Sequence, residues 1–238
     1  SLPLVAGEKQ SSSPVMKDMI SPMENTVYFL PNSDARQSQI YFYIPMGDYN
    51  REENVRREAF NQYISGGFSG LIMNEIREKN SMAYTAYGFA SSRGLPGAQT
   101  YFSGYIGTQN DKAVDAIDLY MKLLTDMPER PGRIDNIKSY LRQSALTDHP
   151  DSRNLSLRIA EWKRRGYTDD PAKEELPLID SLTFPDIVDY YQKNIKGKPI
   201  IIGVLGNPKD ISIDALKKFG KVIRLNEKKL FNEKDTMF

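Results

Sequence analysis

The periodicity of the chain changes at Ser81, and no other feature restricts the possible folds as tightly. From Gly66 to Phe89 the sequence reads Gly-Gly-Phe-Ser-Gly-Leu-Ile-Met-Asn-Glu-Ile-Arg-Glu-Lys-Asn-Ser-Met-Ala-Tyr-Thr-Ala-Tyr-Gly-Phe. Phe68, Leu71, Ile72 and Ile76 recur at the spacing of one helical face, with Asn74, Glu75, Arg77, Glu78 and Lys79 on the other, which predicts a helix to about Asn80. Beyond Ser81 the period falls to two, which predicts an aromatic strand over 83–91. Arg77 then lies on the last helical turn and Tyr84 near the start of the strand, so two polar handles are aimed from adjoining elements. The junction also has a plain structural reading. The paired glycines end a preceding helix and admit close packing, the Arg77 stem covers apolar surface, and Tyr84 is one strand aromatic among several.

The rest of the chain frames this junction. Residues 1–25 carry Ser11 to Ser13 with Pro3, Pro14 and Pro22 and read as a linker or arm. Aromatic and β-branched runs at 26–30 and 37–45, separated by Pro31-Asn32-Ser33-Asp34, predict a hairpin. Ile40, Phe42 and Ile44 would face one side of it, Tyr41 and Tyr43 the other. A helix over 51–65 has Val55, Ala59, Phe60 and Tyr63 as its inner stripe. A second strand pair covers 83–91 and 99–108, and Thr108 or Asn110 is placed to cap the helix that follows. Helices are expected from Ala113 to Pro128, from Pro131 to Pro150, from a cap at Ser152 to Gly166, from Asp170-Pro171, and from Thr183 to Gly197. Pro199 to Leu205 is a continuous apolar run and reads as a strand buried on both faces. A short helix over 214–219 and a strand over 221–225 come next, and 228–238 is a polar tail. Paired strands with segregated helices predict an α+β fold: one mixed, mainly antiparallel sheet with helices packed mostly on one face, in a single domain over 26–227.

Composition removes several function classes. Lys and Arg number 32 against 31 Asp and Glu, so the basic excess of a nucleic-acid binder is missing. The lysines from Lys217 to Lys229 are interleaved with acids and read as a solvated face. No apolar run approaches the roughly 20 residues that span a bilayer, so no membrane partner is expected. Cysteine is absent, which rules out thiolate ligands and a cysteine nucleophile and leans towards an oxidising, extracytoplasmic compartment such as the periplasm. The chain opens at Ser1 without Met, as an excised fragment would. Its one histidine, His149, sits in Asp148-His149-Pro150-Asp151, which reads as the polar end of a helix and a turn. A histidine-paired zinc motif cannot be written, so no metal is expected in this chain. Gly67-Phe68-Ser69-Gly70 is too short to form a serine elbow, and no Walker lysine follows.

Read together and without gaps, Gly66-Gly67-Phe68-Ser69, Glu75-Ile76-Arg77-Glu78-Lys79 and Ala83-Tyr84 resemble the signature of the insulinase and pitrilysin family of zinc metallopeptidases. The likeness is to the domain those enzymes place second. Leu182-Thr183 with Asp186-Ile187, and Gly203-Val204-Leu205-Gly206, resemble the family's closing half, so the resemblance spans most of 26–225. It implies a zinc-free half of a clamshell peptidase, inactive alone, whose partner domain or subunit carries the inverted His-x-x-Glu-His zinc site for peptide-bond hydrolysis. The family's Arg and Tyr across the chamber match Arg77 and Tyr84, which would assist that site by positioning substrate and stabilising the oxyanion. Tyr101 and Tyr105, on a tyrosine-rich strand surface, would line the chamber and bind the peptide substrate. The chain departs from the pattern where Ser81-Met82-Ala83-Tyr84 replaces the common Gly-Leu-Ala-Tyr, so Ser81 must make the turn without glycine's freedom. Gly70-Leu71 likewise stands where members often read Ser-Arg. Some domains of this type are purely structural, so a peptidase-like scaffold or peptide-binding subunit is the alternative.

Overall fold

Alternation along the strands decides which way the sheet faces. Ile40, Phe42 and Ile44 are buried, while Tyr41 between them is 51% exposed, the two-residue period of a strand with one covered face. The computed structural model describes residues 19–148 and 150–227, so His149, the first 18 residues of the expected arm and the tail at 228–238 lie outside the described residues. Its strands are β1 (Thr26–Pro31), β2 (Gln37–Asp48), β3 (Thr85–Ser91), β4 (Gln99–Gln109), β5 (Ile201–Gly206) and β6 (Lys221–Arg224). They form one sheet in the order β3-β4-β2-β5-β1-β6, antiparallel from β3 to β5 and parallel where β1 meets β5 and β6. The architecture is therefore α+β with a mixed, mainly antiparallel sheet.

The expected hairpin of β1 and β2 does not form. β5 inserts between them, pairing Leu205 with Gln39 on one side and with Leu30 on the other. Nearness in sequence favours a hairpin, but a late apolar strand satisfies both edges at once. The same strand is not buried on both faces. Ile202 and Val204 are buried, whereas Ile201, Gly203 and Leu205 are only partly covered, because the helices gather on one side of the sheet.

Those helices are α1 (Asn54–Ser65), α2 (Ala113–Thr125), α3 (Ile134–Thr147), α4 (Leu155–Arg164), α5 (Pro171–Ser181), α6 (Phe184–Asn194) and α7 (Ile213–Leu216). The α1 stripe of Val55, Ala59, Phe60 and Tyr63 is buried as its spacing requires. Phe60 meets Phe102 of β4 edge-on with ring centroids 6.3 Å apart, and Tyr120 of α2 stacks on Phe42 of β2 at 4.0 Å. Tyr120 can lie this close because its hydroxyl rests over Gly88 and Gly104, which face each other across β3 and β4, and donates to the Tyr87 carbonyl at 2.9 Å.

Two expected caps are made differently. Neither Thr108 nor Asn110 caps the helix after β4. Asn110 instead joins β2 to the turn after β5, accepting from Ser38 at 2.7 Å and from the Asn207 amide at 3.2 Å, and Thr108 donates to the Met82 carbonyl. Before α4 the capping oxygen comes from Asp151, which accepts the Arg153 and Asn154 amides at 2.9 Å, in place of Ser152. At Thr183 the expected start is a full capping box with Asp186. Among the described residues, no helix is long and apolar enough to cross a membrane.

Candidate functional site

The junction that organises the sequence is also where the two expected handles meet. Leu71, Ile72 and Ile76 are fully buried, as their spacing demands, but the turn geometry is not the regular α-helix expected. Met73–Glu78 form a π-helix. Its end is closed by the Ser81 amide bonding to the Arg77 carbonyl and the Met82 amide to the Ile76 carbonyl, each at 2.9 Å. This is a Schellman-type closure, with each bond spanning one residue more than usual. Such a closure needs a left-handed residue, and Ser81 supplies it with φ +50°, the only positive φ outside glycine among the described residues. A left-handed side-chain-bearing residue costs about 1–2 kcal/mol. Ser81→Gly should therefore raise stability by about 0.5–1 kcal/mol after glycine's larger unfolded-state entropy is deducted. An unchanged or lower urea midpoint would contradict the strain argument.

Glu75 holds the π-helix against the body of the protein through Arg130, and within the junction it also pairs with Lys79 at 3.0 Å. Arg77 is left projecting, 44% exposed at its side chain and 3.7 Å from the Glu78 carboxylate. Tyr84 lies one residue before β3, pinned by its amide to the Gly107 carbonyl of β4 at 2.9 Å. The residue is 55% exposed, and its hydroxyl accepts from Gln109 at 3.2 Å. Arg77 and Tyr84 line one cleft of about 400 Å³ together with Glu78, Gln109 and Lys112. Two cations against one carboxylate make this a site for a carbonyl, a carboxylate or a developing oxyanion.

Tyr105 and Tyr101 are on the open face of the sheet, the side away from the helices. Tyr105 bends along β4 so that its hydroxyl lies 3.0 Å from where a Gly107 side chain would begin, over the residue whose carbonyl accepts the Tyr84 amide. Tyr101 is at the other end of β4, packed on Tyr43 with centroids 5.8 Å apart. The structure thus brings Arg77 and Tyr84 together in one cleft and leaves Tyr105 and Tyr101 outside its lining, on the open face. Tyr41, Tyr105 and Tyr87 form a continuous row across β2, β4 and β3, with successive ring centroids 5.1 Å and 5.3 Å apart. Partial burial, reinforced by neighbouring tyrosines, pushes the Tyr105 and Tyr43 phenols above their ordinary value.

Sequence reasoning missed Lys112 and Gln109. Gln109 comes to the cleft from the end of β4 and Lys112 from the 3-10 turn over Asn110–Lys112 that follows, and no spacing rule links them to Arg77. The row-mates Tyr41 and Tyr87 were visible as strand aromatics, but only the register shows that they stand beside Tyr105. The residues present do not fit a metal centre: among the described residues, no cluster of three or more His, Asp or Glu side chains could hold an ion.

A sequence model of the peptidase M16 inactive domain matches residues 10–131. No curated protein matches the sequence. Solved structures share the fold at low identity. A peptidase M16 inactive domain from Pseudomonas fluorescens superposes with a TM-score of 0.66 at 15% identity, over 82% of this chain and 47% of that one. A protease from Helicobacter pylori gives 0.65 at 14% identity, over 84% and 48%. The periplasmic protease PqqL from Escherichia coli gives 0.63 at 16%, over 83% and 22%. The chain spans about half the length of the first two and less of the third.

Proposed function

Since the chain belongs to the peptidase M16 inactive-domain family, we propose that it serves as the zinc-free half of a clamshell peptidase and lends Arg77 and Tyr84 to a partner carrying the metal. The single observation behind this reading is that both side chains line one cleft, although they arise from different elements. The partner's zinc would supply the Lewis acid for peptide-bond hydrolysis. This chain's own groups bind and orient. The Arg77 guanidinium offers a planar fork of donors to a substrate carbonyl, and the Tyr84 hydroxyl can release Gln109 and donate to an oxygen on which negative charge develops. Tyr105 and Tyr101 would carry the adjoining peptide along the open face.

The test is hydrolysis of a peptide by the full-length protein, or by this chain mixed with a zinc-motif protein encoded beside it. Chelator-sensitive cleavage that requires the partner, with none by this chain alone, is the expected result. An intact, metal-loaded assembly that cleaves nothing would instead support a peptidase-like scaffold.

A further inference from the structure

The open face of the sheet has a chemical character of its own. Across β3, β4, β2 and β5 only Asp48, at the far end of β2, is charged. Between that end and the Arg77–Tyr84 cleft the face presents tyrosine and phenylalanine rings, amides and hydroxyls. The Tyr105 and Tyr43 phenols, pushed up by burial from a value already well above neutral, carry no charge at neutral pH. A lysine or glutamate laid on this surface would lose water and meet no counter-charge. An aromatic or other apolar side chain would find ring faces, and a peptide backbone would find phenol and amide partners.

The neighbouring edge of the sheet is closed to the usual alternative. An added strand would need the outward main-chain groups of β3, yet α1 has already taken several of them. Asn61 accepts from the Ala90 amide at 2.7 Å and donates to the Ala90 carbonyl at 3.1 Å. Ser65 accepts from the Gly88 amide at 2.8 Å. Those two side chains stand where a pairing strand would be.

We infer that the polypeptide taken up by this chain is an extended, uncharged segment rich in aromatic or apolar side chains, held on the open face between Tyr101 and the cleft and not by pairing to β3. This rests on the reading of the chain as a peptide-handling half. From Tyr101 to Gln109 the face is about 27 Å long at about 3.4 Å per residue, so a segment of about eight residues covers it.

The experiment measures binding to the full-length protein by fluorescence anisotropy, with three labelled peptides of about twelve residues. One is neutral and built from Tyr, Phe, Pro, Gln and Ser; the others carry lysines or glutamates in place of the aromatics. The neutral peptide should bind at least about tenfold more tightly than either. Tyr87→Glu, at a 39% exposed ring in the row, should remove most of that advantage and improve the lysine peptide, with the thermal midpoint checking that the variant is folded. Equal affinity for all three peptides, or a Tyr87→Glu protein that binds each as before, would overturn the inference and leave the peptide-handling reading standing. Failure to bind any of the three would remove both.

Discussion

Tyr84→Phe should lower kcat of the assembled peptidase by about a hundredfold to a thousandfold and leave KM within about threefold, because the lost hydroxyl acts only where charge develops. The structure makes this a clean substitution. The residue is largely exposed, its hydroxyl has a single partner, Gln109, among the described residues, and strand placement depends on the Tyr84 amide, which phenylalanine keeps. Stability should stay within about 0.5 kcal/mol of the parent protein. Arg77→Lys makes the complementary case, since it keeps the charge and loses the fork, and there KM should rise. Steady-state kinetics on the reconstituted assembly would decide. If Tyr84→Phe turns over at the parental rate, Tyr84 has no part in the chemistry.

The largest structural effect is expected at Gly104, which the sequence alone would rank as an ordinary strand glycine. Its φ is not left-handed, so its value is space. A Cβ there would collide with the Tyr120 hydroxyl and stand 2.8 Å from the ring carbon that bears it. The facing Gly88 is as confined, with Phe102 Cζ at 2.6 Å from its would-be Cβ and Ile72 Cδ1 at 2.9 Å. Gly104→Ala should destabilise by about 2–3 kcal/mol through overpacking. Combining it with Tyr120→Phe, which removes the obstructing oxygen, should recover about 1 kcal/mol in a double-mutant cycle read from urea unfolding. Strict additivity would show that the hydroxyl is not the obstacle.

How much of this was legible follows from the range of each interaction. The alternation of Ile40, Phe42 and Ile44 with Tyr41 and Tyr43 fixed the faces of β2, because it depends on nothing beyond the strand itself. The turn at Ser81 was legible through the family resemblance, whose pattern has glycine there, and the residue does take a positive φ. Pairing was not. The insertion of β5 between β1 and β2 depends on residues far apart in sequence, and the apolar run Pro199 to Leu205 reads as doubly buried because the open face is itself apolar at Ile201 and Leu205. Within the candidate site, Arg77 and Tyr84 could be placed by a continuous stretch of chain. Lys112 and Gln109 could not, because the end of β4 and the turn after it reach the cleft only once the sheet has formed. Asn110 and Thr108 show the same limit: a polar residue before a helix suggests a cap, and here tertiary partners outcompete it.

The position of β5 has a consequence in time. A ribosome emits β1 first, but both strands that flank it, β5 and β6, come from the last part of the described chain. β1 must therefore wait, with both edges open, while the hairpin of β3 and β4 and the helical segment are made. Synthesis halted after residue 131, where the family match ends, would release a nascent chain whose β1 has neither neighbour and whose β2 lacks one of its two. Such a product is a target for chaperones and proteases, so the sheet matures only once translation has passed Arg224.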